Sequence, residues 1–277
     1  MKRLYRLLFH LVCRKRALEF GGHDESFEAG LQSTKEYFDR FDNLIEVKDK
    51  RVFDVGCGYG GTCIYVAEQG AKRVVGIDID EERLETAKEK LRMAYPGLKG
   101  KVQYKLVSAD EDAGEEKFDV ILSKDSFEHI SEPEKFIASL ANRLAPGGLI
   151  VIGFGPLGKS PHGGHIKYMT RLPWAHLLFP EWVIMEERRR FRPQEEARTF
   201  GQIRGGLNKM TLKRCLTIMS RQQFECLYLK TNVYRENRAK WLLGKTCNVL
   251  RRIPFCRELF TINLYGIWRL RSRGGPP

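Results

Sequence analysis

A chain of 277 residues has room for one large α/β domain or two small ones, and 42% apolar with 30% charged residues excludes a largely disordered polymer. No run of 18 apolar residues occurs, which excludes a spanning helix, and the 26 glycines and 11 prolines follow no fibre period. The net charge of +13 divides unevenly, with +5 on residues 1–20, −6 on residues 21–185 and +14 on residues 186–277.

The first residues read MKRLYRLLFHLVCRKR. Leu4, Leu7, Leu8, Leu11 and Val12 recur at helical spacing among Lys2, Arg3, Arg6, Arg14 and Arg16, so residues 1–20 are predicted to hold a basic amphipathic helix. Two placements are open to it. It docks on its own domain or a partner, or it lies in an anionic membrane interface. The apolar run is short and no small-residue cleavage site follows, which argues against a secretory signal.

From residue 51 short apolar runs alternate with helical stretches. Strands are predicted at 51–55, 73–78, 102–106, 118–123 and 149–153. Helices are predicted at 62–69, at 81–93 behind the N-cap Asp80, and at 133–144 with Pro133 in the first turn and Gly147 and Gly148 beyond the end. After residue 153 the alternation stops, and it resumes with a helix at 211–219 and strands at 224–233 and 260–270. The pattern predicts a Rossmann-like, doubly wound, mostly parallel seven-stranded sheet with helices on both faces, built from residues 21–153 and 211–270. Residues 154–210, rich in Gly, Pro, His and aromatic residues, are too long for a simple connection and read as a functional insert or lid. Residues 271–277 read as a flexible tail.

Seven cysteines stand at 13, 57, 63, 215, 226, 247 and 256, an odd number with no C-x-x-C pair. That argues against a disulfide framework or a zinc knuckle and favours a reducing, cytoplasmic compartment. Cys57 reads as a small buried filler and not a nucleophile.

The sharpest signal is the run VFDVGCGYGG at 52–61. Glycines directly after a strand let the backbone turn tightly and approach a ligand. Gly56, Gly58 and Gly61 also satisfy the dinucleotide fingerprint, with Asp78 placed where a ribose-binding carboxylate would sit. Asp54 sits badly beside a pyrophosphate, since like charges disfavour each other, and suits a ligand with a cationic group.

Read together, DVGCGYG at 54–60, GID at 76–78, SAD at 108–110, FDVILSKDSFEHI at 118–130 and LAPGGLIVI at 144–152 resemble the motifs of class I S-adenosylmethionine-dependent methyltransferases of small molecules. The resemblance covers residues 30–153 well and 207–270 loosely. It implies S-adenosyl-L-methionine as cofactor, with Gly56, Gly58 and Gly60 lining its methionine and ribose and Asp54 near its aminoacyl end. It further implies that Asp78 accepts from both ribose hydroxyls, a paired acceptor a carboxylate supplies compactly, and that Ile79 packs on the adenine. Asp110, with the Ala109 backbone nearby, would accept from the adenine amino group, and Lys124 would face the methyl donor. Blander readings stand beside these: Gly60 and Gly61 as packing glycines, Asp78 as a solvated strand-end carboxylate, and Asp110 as one acid of a solvated loop.

A sulfonium donor leaves the protein mainly the task of alignment, and a hydroxyl acceptor would also need a base. His129, after the fourth strand, and His165, in the KSPHGGHIKYM run of the insert, are the candidate catalytic bases. Glu128 with His129 offers too few ligands for a metal site, so none is assigned. The leading reading is an O- or N-methyltransferase of a small, acidic or lipid-like molecule, with membrane contact through residues 1–20 as an added expectation. A nucleic-acid methyltransferase drawn by the basic C-terminal third is the second, disfavoured by the absence of an Asn/Asp-Pro-Pro-aromatic run. A cofactor-binding scaffold without catalysis is the third, and an NAD-dependent dehydrogenase the weakest.

Overall fold

A computed structural model of the protein describes residues 1–13, 23–108, 115–203, 205–233 and 238–271. In chain order the elements are α1 (Lys2–Val12), α2 (His23–Asp39), β1 (Arg51–Val55), α3 (Gly61–Glu68), β2 (Arg73–Asp78), α4 (Glu81–Met93), β3 (Val102–Leu106) and β4 (Phe118–Lys124). They continue with α5 (Pro133–Arg143), β5 (Leu144–Phe154), α6 (Ala175–Leu178), α7 (Glu181–Phe191), α8 (Leu212–Arg221), β6 (Phe224–Thr231), α9 (Arg238–Leu250) and β7 (Leu264–Leu270).

The seven strands form one sheet in the order β3-β2-β1-β4-β5-β7-β6. β1 to β5 are mutually parallel, and β7 enters antiparallel between β5 and β6. The order reverses between β1 and β4, so their carboxyl ends diverge and open a crevice there. The predicted fold is the observed one, with the last two strands as an antiparallel pair.

Period-two alternation divides the core. Phe53, Val55, Ile121, Ile150, Ile152 and Trp268 pack beneath α5 and α8, while Val52, Val74, Val120, Leu122 and Val151 face α2, α3 and α4. Burying both faces explains why the central strands read as near-continuous apolar runs. A third cluster fills the insert, where Ile166, Met169, Val183, Ile184, Met185 and Phe200 surround Phe9 of α1. The insert thus has a core of its own, and α1 is docked on it.

Several boundaries differ from expectation for local reasons. β5 begins at Leu144 and not 149, because Leu144 pairs with Phe118 while Val120 pairs with Leu149, a bulge that accommodates the LAPGG turn within the strand. β6 ends at Thr231, where Asn232 turns left-handed at φ +57°. β7 begins at Leu264 and not 260, because Phe260 N–H donates to the Cys256 carbonyl at 3.0 Å and closes a turn. The helices α2, α7 and α9 were not anticipated. α2 carries Gly30 in its interior, and α7 buries Val183, Ile184 and Met185 in one unbroken run that shows no helical period.

The N-terminus of α8 is closed by two side chains. Thr211 Oγ1 accepts from Arg214 N–H at 3.2 Å, and the Glu258 carboxylate accepts from Leu212 N–H at 3.2 Å and Lys213 N–H at 2.9 Å. Thr211→Ala is expected to lower stability by about 1 kcal/mol, read as a shift in the urea midpoint at constant slope. The Glu258 contacts keep the loss from being larger.

Candidate functional site

The glycine turn follows β1 directly. Gly56 and Cys57 donate their N–H groups to the Ile77 carbonyl at 2.9 and 3.0 Å, which folds the turn back over the end of β2. Gly56 (φ +73°) and Gly58 (φ +53°) need backbone conformations that side chains resist. A Cβ at Gly58 would meet nothing within 4 Å, so that side of the turn is open to a ligand. Gly60 differs. Its added Cβ would strike the Tyr104 ring, whose hydroxyl donates to the Gly60 carbonyl, so it serves helix-strand packing at the start of α3.

Asp78 ends β2 and holds the turn in shape. One carboxylate oxygen accepts from Gly58 N–H at 2.8 Å and the other from Asp80 N–H at 2.9 Å. It lines a cavity of about 300 Å³ together with Gly56 and Ile79 on one side and Asp125, Ser126 and His129 on the other. Ile79 is 66% exposed, an apolar surface left uncovered at the mouth of a polar pocket. From the insert, Gly205 completes the wall.

Asp54 lies beneath this cavity and not in its wall. It is fully buried and accepts from the Cys63 thiol at 3.3 Å. Burial pushes its carboxyl up to about 7; the Cys63 hydrogen bond and the Lys124 ammonium pull it down, and Asp78 adds to the rise. An acid raised from 3.8 to about 7 binds more protons folded than unfolded in that interval. Its contribution to stability is therefore complete below about pH 4 and is lost as pH rises toward about 7. Asp54→Asn is expected to flatten the ligand-free protein's decline in stability between about pH 5 and pH 8, followed by urea unfolding at both values. Parallel wild-type and variant curves would contradict this.

Lys124 points to α2, donating to Ser33 Oγ at 2.9 Å, with Asp125 at 3.6 Å. It is therefore placed beside the cavity and not among its lining residues. Ala109 and Asp110 lie outside the described residues. Asp125 and Ser126 were missed by sequence reasoning, although they directly follow Lys124 at a strand's carboxyl end, where ligands bind in such sheets. Asp125 sits at φ +50°, and Ser126 Oγ donates to the Lys124 and Gly56 carbonyls at 2.9 and 3.3 Å, tying β4 to the glycine turn.

The two histidines meet. Their rings lie edge to face at 5.6 Å, one from the end of β4 and one from the insert. His129 Nδ1 donates to the Gly206 carbonyl at 2.8 Å, so its neutral form carries its lone pair on Nε2. His165 adopts φ +52° and is not a lining residue. Its Nε2 is buried with no hydrogen-bond partner among the described residues. Burial, then His129, press its pKa down to about 4, against a backbone hydrogen bond at Pro156 that raises it. His165 is therefore neutral near pH 7 and a weak base. Close by, Glu128 is buried, with its carboxyl pushed well up by burial and by Asp125. The Glu128 carbonyl accepts from Asn208 N–H at 2.9 Å, and Asn208 Nδ2 donates to the Phe127 and Ile130 carbonyls, fastening the insert to the β4 loop.

Residues 53–152 match the family described as "methyltransferase domain". Over 133 residues the chain is 35% identical to ajmaline N-methyltransferase of Rauvolfia serpentina, covering 48% of this chain and 45% of that protein. Over 125 residues it is 32% identical to a ubiquinone biosynthesis O-methyltransferase of Neisseria meningitidis, covering 44% and 50%. The chain thus spans about half the length of the curated relatives it matches. A solved S-adenosylmethionine-dependent methyltransferase from Mesorhizobium loti shares the fold, with TM-score 0.54 and 18% identity over 90% of this chain and 100% of that one.

Proposed function

With residues 53–152 a methyltransferase domain of class I architecture, we propose that the protein is an S-adenosylmethionine-dependent methyltransferase acting on an oxygen or nitrogen of a small acceptor, acidic or lipid-like in character. The observation that carries this reading is a single cavity joining Gly56, Asp78 and Ile79 to Asp125 and His129. The residues present suit the cofactor. Asp78 would hold the ribose hydroxyls, Ile79 would cover the adenine, and the open side of the turn at Gly58, with Gly56 in the cavity wall, leaves room for the remainder. Asp125 at the wall makes the surroundings favourable to a cation.

When bound, the cofactor supplies a methyl group on positively charged sulfur. The chain's own task is to align the acceptor, exclude water and manage one proton. Residues 154–210 serve as the acceptor-side wall, since Gly205 faces the cavity and Gly206 holds the His129 ring in a fixed tautomer. His129 Nε2 then takes the proton of a hydroxyl acceptor, while neutral His165 packs against the ring and holds its orientation. An amine that arrives unprotonated needs no such step.

Calorimetric titration with S-adenosylmethionine and with S-adenosylhomocysteine tests the reading. Saturable binding of both is expected. No heat from either would overturn the enzyme assignment and the cofactor site together.

A further inference from the structure

Helix α1 is held to the body by one side only. Phe9 is buried against the insert and meets Phe179 with ring centroids 4.9 Å apart. On the polar side, Arg6 Nε donates to Glu186 at 2.9 Å and stacks over Trp182, and His10 lies 3.1 Å from Glu187, all on α7. The Val12 carbonyl also accepts from Thr170 Oγ1 at 2.7 Å. The docked surface is therefore Phe9 and the charged face.

The leucine stripe faces outward. Leu4, Leu7, Leu8 and Leu11 are 57%, 58%, 43% and 70% exposed, on a helix whose orientation the Phe9 and α7 contacts already fix. Burying such a stripe normally drives helix docking, so a helix anchored through its other face presents the leucines to something outside the chain. Lys2 and Arg3 are exposed in the first turn, Arg3 bordering the leucine arc beside Leu7 and Lys2 lying toward Phe9, and Arg14, Lys15 and Arg16 follow in sequence. Leu177 and Leu178, which immediately precede Phe179, are exposed as well, and so in part is Trp182.

We propose that α1 lies in the interface of an anionic phospholipid bilayer, with Leu4, Leu7, Leu8 and Leu11 among the acyl chains and the flanking basic residues at the headgroups. An 11-residue helix is far too short to span a bilayer but suits in-plane burial, and among the described residues no helix is long and apolar enough to cross one. Charge favours lipid over a second copy of the chain. A second copy meeting this face would offer its own Lys2 and Arg3 no opposite charge, whereas anionic headgroups neutralise them.

Co-sedimentation of the full chain with two kinds of vesicle tests this: phosphatidylcholine alone, and phosphatidylcholine with about a third phosphatidylglycerol. Binding to the anionic vesicles roughly tenfold or more tighter is expected, weakening with salt. The variant Leu4→Glu/Leu8→Glu/Leu11→Glu should lose vesicle binding, and Lys2→Glu/Arg3→Glu should lose the preference for anionic lipid. All five side chains are on the outside, and unchanged circular dichroism with unchanged S-adenosylmethionine titration checks each fold. Leu11→Glu alone provides a milder second test, with a partial loss expected. No binding of the wild type to either vesicle, or undiminished binding by the triple variant, overturns the proposal. So does a wild-type dimer by light scattering that the triple variant converts to monomer without any lipid binding. None of these outcomes depends on methyl transfer, so this proposal and the enzymatic one fail separately.

Discussion

Asp78→Ala is expected to weaken S-adenosylmethionine binding by about 1–3 kcal/mol, a loss of roughly 5- to 150-fold in affinity. The argument rests on what the carboxylate does before any ligand arrives. Its two oxygens already accept from Gly58 N–H and Asp80 N–H, so it shapes both the glycine turn and the approach to α4. Each carboxylate oxygen has a second lone pair, and those facing the cavity are left for the ribose. Alanine removes the acceptors for the hydroxyls and frees the turn that positions them. Asparagine is no milder, because its NH₂ would face one of the two backbone donors; its loss should fall in the same range. Calorimetric titration of wild type and both variants measures the effect. Equal affinities would remove Asp78 from the cofactor site and leave it a turn-forming residue only.

The sheet was legible because its chemistry is local. RVFDV, RVVGID and FDVILS are compact apolar runs, each closed by glycine or a polar residue, and they became β1, β2 and β4 nearly residue for residue. The glycine turn was legible for the same reason, since its φ values are demanded by a few adjacent residues. The position of Asp54 was not. Its sequence neighbours say only that an acid precedes the glycines, whereas its burial comes from Cys63 and α3 folding over the face of β1 it shares with Val52. The insert hid its helices because its core is assembled with Phe9, some 150 residues away in sequence, so no window contains the pattern. His129 and His165 could each be suspected alone. That they touch, and that burial weakens the second as a base, depends on the insert docking through Asn208 onto the β4 loop.

That pairing sets the second large effect. For a hydroxyl acceptor, His129→Ala is expected to cut turnover by about 10²–10⁴-fold, the range that a positioned base contributes. Cofactor affinity should change far less, because Gly56, Asp78 and Ile79 form the opposite wall. His165→Ala should cost less than His129→Ala. Its ring lies against His129 and outside the cavity wall, and with a pKa pressed down to about 4 it accepts protons poorly near pH 7. Formation of S-adenosylhomocysteine over a panel of phenolic and carboxylate acceptors measures turnover, and added imidazole should restore part of the His129→Ala loss. The order of the two losses decides between the histidines. Were His165→Ala the more damaging, with cofactor binding intact, the proton would belong to the insert, and His129 would become its support. An amine acceptor predicts a third pattern, in which both variants keep most of the rate at high pH, because an unprotonated nitrogen attacks without help from either ring.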